Sequence, residues 1–306
     1  MQINLLNMEP GTNMGRGMNV EPGMNGEPAG TNIEGGMNIE PGANIEPEMA
    51  RMETPFVVKG SIVRTIWGSS ETVLLIFAGS AAEFALNRSV DWLYYTGRLP
   101  ADPIGRLFST VRYAKDIIYS SYDRAMAAID QITAIHGAVE KGRGMRIPDS
   151  AYRDVLFMLI DYSIRSFELL ERKLTAQERA DIFEVFQRVG SRMRLKGLPE
   201  TYSAWEVMRE DHLEQNLAYS ELTKDLYGRY KQSLGAIRYQ ILLGGQALLA
   251  PGRVRRLLSL RGGWWMRVVV LLYKVARVMR VDRAVKAVVL PREYRTQVAA
   301  LDVKVG

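Results

Sequence analysis

From Phe56 onward the chain repeats apolar residues every three or four positions, and sustained two-residue alternation is scarce. Helices need the first pattern and half-buried strands the second, so the period alone predicts an all-α fold. A helix over about 150 to 173 places Leu156, Ile160, Ile164, Phe167 and Leu170 on one face. The run 182-IFEVFQRVGSRM-193 keeps the same spacing and ends near Gly197-Leu198-Pro199. Thr175-x-x-Glu178 and Ser203-x-x-Glu206 have the form of capping boxes, each expected to open a helix. These stripes are core faces and imply no chemistry. The expected architecture is a single multi-helix domain over 54–306, preceded by a disordered low-complexity tail over 1–53.

The tail is a degenerate hexapeptide, roughly [MTA]-N-x-E-P-G, paced by Asn7, Asn13, Asn19, Asn25, Asn32, Asn38 and Asn44. A hexapeptide β-helix needs a stacked apolar position, and the recurring Pro and Gly here would interrupt its ladder. Over residues 1–50 Arg16 stands against seven glutamates, so the segment reads as a disordered acidic tail with a net charge of −6.

Composition removes several classes of function. With no cysteine among 306 residues there is no disulfide, thiolate-ligated cluster or cysteine nucleophile. Two histidines, His136 and His212, cannot build a multi-imidazole metal cage in one chain, and neither follows a Glu-x-x spacing. There is no phosphate-binding G-x-x-x-x-G-K-[ST] loop, and Gly142-Arg143-Gly144 lacks a third glycine at Ile147. The amino terminus lacks a basic-then-apolar signal pattern, and no run of 18 uninterrupted apolar residues exists. The reading is a cytoplasmic protein.

Charge is uneven. Residues 251–306 hold 13 Lys or Arg against three acids, a net of +10 that exceeds the whole-chain excess of +6. Within them, 264-WWMRVVVLLYKVARVMRV-281 mixes two Trp with aliphatics and spaced cations. Such a helix suits peripheral contact with a membrane, Trp and aliphatics at the acyl boundary and cations at headgroups. Docking on the core with a solvated basic edge suits it better, because the cations spread around the helix and leave no clean polar face. No nucleic-acid motif accompanies the basic charge, which argues against nucleic acid as the partner.

The stretch 106-RLFSTVRYAKDIIYSSYDRAMAAIDQITAIH-136 carries the candidate chemistry. Asp123 to Glu140 reads as a helix whose inner face holds Ala125, Ile129, Ile132, His136 and Val139. An imidazole on that face is either a buried neutral group satisfied by a nearby carbonyl or hydroxyl, or a ligand. His212, in 209-REDHLEQN-216, sits among acids and amides and is expected to be exposed, without a role. Arg106, Thr110 and Tyr113 fall at i, i+4 and i+7 of a helix begun after Asp102-Pro103. A buried guanidinium needs an anionic partner, either a core carboxylate or a bound anion such as a porphyrin propionate. Small residues such as Ala125 and Ala128 leave room for a flat ligand.

In order, Asp102-Pro103-x-Gly105-Arg106-Leu107-x-x-Thr110-x-x-Tyr113, an Ala-rich helix, then His136-x-x-Val139 with Gly142 nearby, resembles the catalytic domain shared by rubber oxygenases (latex-clearing proteins) and MpaB-type oxygenases. The likeness runs from about Phe56 to Leu301, through Leu198-Pro199 with Tyr202 and a closing Leu290-Pro291-x-x-x-Arg295. It implies an all-α fold and b-type haem bound through the His, with the Arg and Thr kept in the haem pocket. On that implication His136 is the iron ligand, Arg106, Thr110 and Tyr113 line the cofactor, and Arg106 and Thr110 serve catalysis. The implied reaction consumes dioxygen and an apolar, unsaturated, isoprenoid or lipid-like substrate.

Three departures bear on the substrate. Many bacterial members have an Ala-His-Pro-like stretch where this chain has 82-AEFALNRSVD-91, one extra residue separates Val139 from Gly142, and Ser109 stands where rubber oxygenases carry a Lys. These features point away from rubber itself. Glu83 and Asp91 lie in the divergent stretch and are assigned no part. The competing expectation is a non-enzymatic helical protein that docks on a membrane or a partner through 251–306.

Overall fold

Apolar runs at helical spacing become ten helices among the described residues, with no strand between them. The computed structural model describes residues 54–89, 94, 103–261, 263–278 and 302. In chain order the helices are α1 (Ile62–Trp67), α2 (Ser70–Phe84), α3 (Pro103–Tyr119), α4 (Tyr122–Arg143), α5 (Asp149–Leu170), α6 (Ala176–Arg192), α7 (Tyr202–Gln215), α8 (Glu221–Leu249), α9 (Gly252–Leu257) and α10 (Gly263–Val278). The repeat tail, Asp91 and the closing Leu290-Pro291 motif lie outside the described residues. None of the described helices is long and apolar enough to cross a membrane.

α5 is the central element. Its expected stripe of Leu156, Ile160, Ile164, Phe167 and Leu170 is buried, and so are Phe157, Met158, Leu159 and Tyr162. A helix apolar around so much of its circumference must be covered on several sides. It packs most heavily on α2 and α6, with α7 and α8 adding further cover. Ile66, Ile76 and Ile182, fully buried beside Trp67, complete this core, each aliphatic stabilising by about 1.5–3 kcal/mol.

Gly79 allows the α2–α5 contact to be as close as it is. A Cβ there would overlap the ring of Tyr162, whose hydroxyl donates to Glu83 Oε2 at 3.1 Å. The helix ends follow local chemistry. Thr175 and Glu178 form the capping box of α6 as expected. The Ser203 box does not open α7: the cap is Thr201, whose side chain accepts from the Ala204 backbone N–H at 3.1 Å. α4 stops at Gly144, which adopts the left-handed conformation (φ 70°, ψ 16°) that favours glycine.

Candidate functional site

The four residues singled out in the sequence sit on two helices that pack against each other, α3 and α4. Arg106, Thr110 and Tyr113 lie within α3, which starts at Pro103, as its lack of a backbone N–H favours. Thr110 and Tyr113 are half-buried, and the Arg106 side chain lies outside the described residues. On α4 the inner face is graded. Ala125 and Ile129 are fully buried, whereas Ile132, His136 and Val139 are half-buried. His136 therefore stands where the core ends, and is neither a fully buried nor a fully exposed imidazole.

Sequence reasoning missed the aromatic partner of His136. Tyr152, in the first turns of α5, places its ring centroid 4.9 Å from that of His136 at a 45° tilt. Glu140, one turn beyond His136, holds this ring in place: its Oε1 accepts from the Tyr152 hydroxyl at 3.2 Å and from the Ile147 backbone N–H at 3.0 Å. Burial and the adjacent Glu140 carboxylate push the Tyr152 hydroxyl well above its ordinary pKa and keep it a neutral donor. A Glu four residues after the His, followed by a Tyr at the next helix start, was the available signal. The middle of α4 is tied to α6 by Arg192, whose Nε and Nη2 donate to Asp130 at 2.8 and 2.5 Å.

His212 corrects an expectation. It is 4% exposed and belongs to a buried ionic circuit between α2, α5 and α7. Its Nδ1 lies 2.9 Å from Asp154 Oδ1, and its Nε2 makes an ionic contact of 3.3 Å with Glu83 Oε1, off the hydrogen-bonding direction. Asn87 Nδ2 donates to the other Asp154 oxygen at 2.9 Å. Arg209 grips Glu83 through both terminal nitrogens, Nη2 at 2.5 Å from Oε2, and donates to Asp161 Oδ2 from Nε at 3.1 Å and Nη2 at 2.9 Å. Arg165 Nε occupies the remaining Asp161 oxygen at 2.6 Å.

Burial opposes every charge in this circuit. For Glu83 it would raise the pKa, but the Arg209 charge and hydrogen bond, with help from His212, bring the carboxyl down to about 2. For His212 burial lowers the pKa, and the close Asp154 and Glu83 carboxylates reverse that to leave it raised. With each carboxylate already paired, the circuit is a structural one.

What can hold a prosthetic group follows from the donor set. Among the described residues no group of three or more His, Asp or Glu is disposed to cage a metal ion. A half-buried imidazole on a helix packed against one that carries an arginine, a threonine and a tyrosine fits a prosthetic group that itself brings most of its metal's donors, as haem does. A polar cavity of about 340 Å³, lined by Arg165, Glu210, Glu214 and the arginines of α9, involves none of these residues.

The family model described as ER-bound oxygenase mpaB/B'/rubber oxygenase, catalytic domain, matches residues 67–284, more than two thirds of the chain. Neither the curated proteins nor the solved structures give a match.

Proposed function

The chain belongs to the mpaB and rubber oxygenase catalytic-domain family, and on that premise we propose that it is a haem b-dependent oxygenase of an apolar, unsaturated substrate. The observation that carries the haem reading is the placement of His136. It is half-buried at the end of the core, backed by Tyr152, on a helix packed against the one that bears Arg106, Thr110 and Tyr113.

When bound, the haem supplies the redox-active iron at which dioxygen chemistry takes place. His136 would hold the iron through a ring nitrogen. The aromatic wall of Tyr152, fixed by Glu140, would restrict rotation of the imidazole. Arg106 would neutralise a propionate or stabilise developing negative charge, and Tyr113, two turns further on, would add a phenol donor. Thr110, four residues from Arg106, would supply a hydroxyl donor to the pocket beside the group. The aliphatic lining expected around such a site selects an isoprenoid or lipid-like molecule over a polar one. Such substrates are met at membranes, a setting the basic segment 251–306 suits.

The test is dioxygen uptake by haemin-reconstituted protein supplied with polyunsaturated isoprenoid and fatty-acyl substrates. Thr110→Ala and Arg106→Ala are expected to keep a Soret band and lose uptake about 100-fold, the scale of removing one preorganised donor. Uptake at the parental rate in both variants would remove them from the site.

A further inference from the structure

Residues 226–281 contain 11 Lys or Arg and not one Asp or Glu. The last described helix of that run, α10, is seated on α8 by one face only. Met266 is buried there, with Val270 and Tyr273 half-buried beside it. Gly244 of α8 permits the fit, since a Cβ on it would come within 2.6 Å of Met266 and 2.7 Å of Trp265. The opposite face carries Trp264, Val268, Leu271, Leu272 and Val275, which recur at i, i+4, i+7, i+8 and i+11 and so form one stripe. Their exposures are 73%, 47%, 61%, 62% and 49%. Arg267 and Lys274, seven residues apart, line one edge of that stripe, and the exposed Arg261 precedes the helix.

We propose that this outer face of α10 is a docking surface for an anionic lipid bilayer, with the helix lying in the plane of the interface. Water is a poor solvent for a contiguous apolar stripe, and a headgroup–acyl boundary accepts one together with its flanking cations. Trp264 at one end suits the headgroup level. The orientation follows from the seat: Met266 and Trp265 are held against Gly244 of α8, so only the outer face of the helix is open to a bilayer, and a helix exposed along one face lies in the interface plane. A second copy of the chain is the poorer occupant. Pairing the stripe with itself about a two-fold axis would bring two acid-free, cationic surfaces together, whereas an acidic leaflet attracts each cation within a Debye length. An apolar substrate dissolved in that leaflet would then lie beside the enzyme.

The test is flotation of the full-length chain with phosphatidylcholine vesicles, with and without about a third phosphatidylserine. Protein mass is read in the floated fraction with and without added haemin, so the result stands apart from the haem reading. Retention on the serine-containing vesicles is expected, falling at least about tenfold in the Leu271→Ser, Leu272→Ser double variant and several-fold in Arg267→Gln, Lys274→Gln. Circular dichroism should match the parent in both, because the altered side chains lie off the face seated on α8. Three results would each overturn the proposal: no retention of the parent, equal retention on neutral vesicles or by the double-Ser variant, or light scattering that shows a parental dimer dispersed to monomers by the double-Ser change.

Discussion

At the scale of single residues, Arg209 and His212 hold the interior together by charge. Replacing Arg209 with Leu would leave Glu83, fully buried, and Asp161, nearly so, without their shared cation. Stranding buried carboxylates costs about 3–5 kcal/mol, so Arg209→Leu should lower the urea midpoint by that equivalent or fail to fold. Two further consequences concern pH. Glu83 titrates at about 2 in the folded chain against an ordinary 4.5, so its contribution is complete above that ordinary value and is lost as pH falls towards 2. His212 is shifted the other way. Its contribution is full below the ordinary histidine value of 6.5 and declines as pH rises through the raised folded one. Melting temperature followed from pH 6 to 9 should fall in the parent over that interval and be flatter in His212→Asn. These residues were illegible in 209-REDHLEQN-216 because the local composition is charged. What decides burial is register: Trp205, Arg209, His212 and Leu213 share one side of α7 and turn inward, while Glu210, Asp211 and Glu214 do not.

At the scale of elements, caps and close approaches discriminate the observed fold from the expected one. Thr201 caps α7, so Thr201→Ala should cost about 1 kcal/mol, and Ser203→Ala, two residues on and off the cap, should stay within about 0.5 kcal/mol; chemical denaturation of both variants checks this. The sequence offered two S/T-x-x-E signatures of equal quality, and only the Thr175 one is a cap. The preceding Pro199-Glu200-Thr201 turn brings the chain to the helix two residues earlier than the pattern implied. Helix periods were far easier to read. The α5 stripe and the inner face of α4 follow from three- and four-residue spacing. The same spacing did not reveal that the α4 face passes from buried at Ile129 to half-buried at His136, because a period assigns residues to a face and says nothing of how far along that face the neighbouring elements reach. Gly79 shows the complement, a residue without a side chain to read whose role is to admit the Tyr162 ring. Gly79→Ala should cost about 1–3 kcal/mol through overpacking.

At the scale of the whole molecule, the order of motifs carried more than any one of them. Arg106, Thr110, Tyr113 and His136 are individually ordinary, and together they lie on two packed helices of an all-α chain whose family is that of oxygenases. The buried circuit and the α3–α4 pair divide the two histidines between separate tasks, one structural and one proposed for the cofactor. That division is directly measurable. The decisive experiment titrates haemin into the parent, His136→Ala and His212→Asn, each first shown to be folded by circular dichroism, and follows the Soret band. The account predicts saturation at one haem per chain in the parent and in His212→Asn, with no saturable band in His136→Ala. A His136→Ala protein that bound haem as the parent does would contradict it.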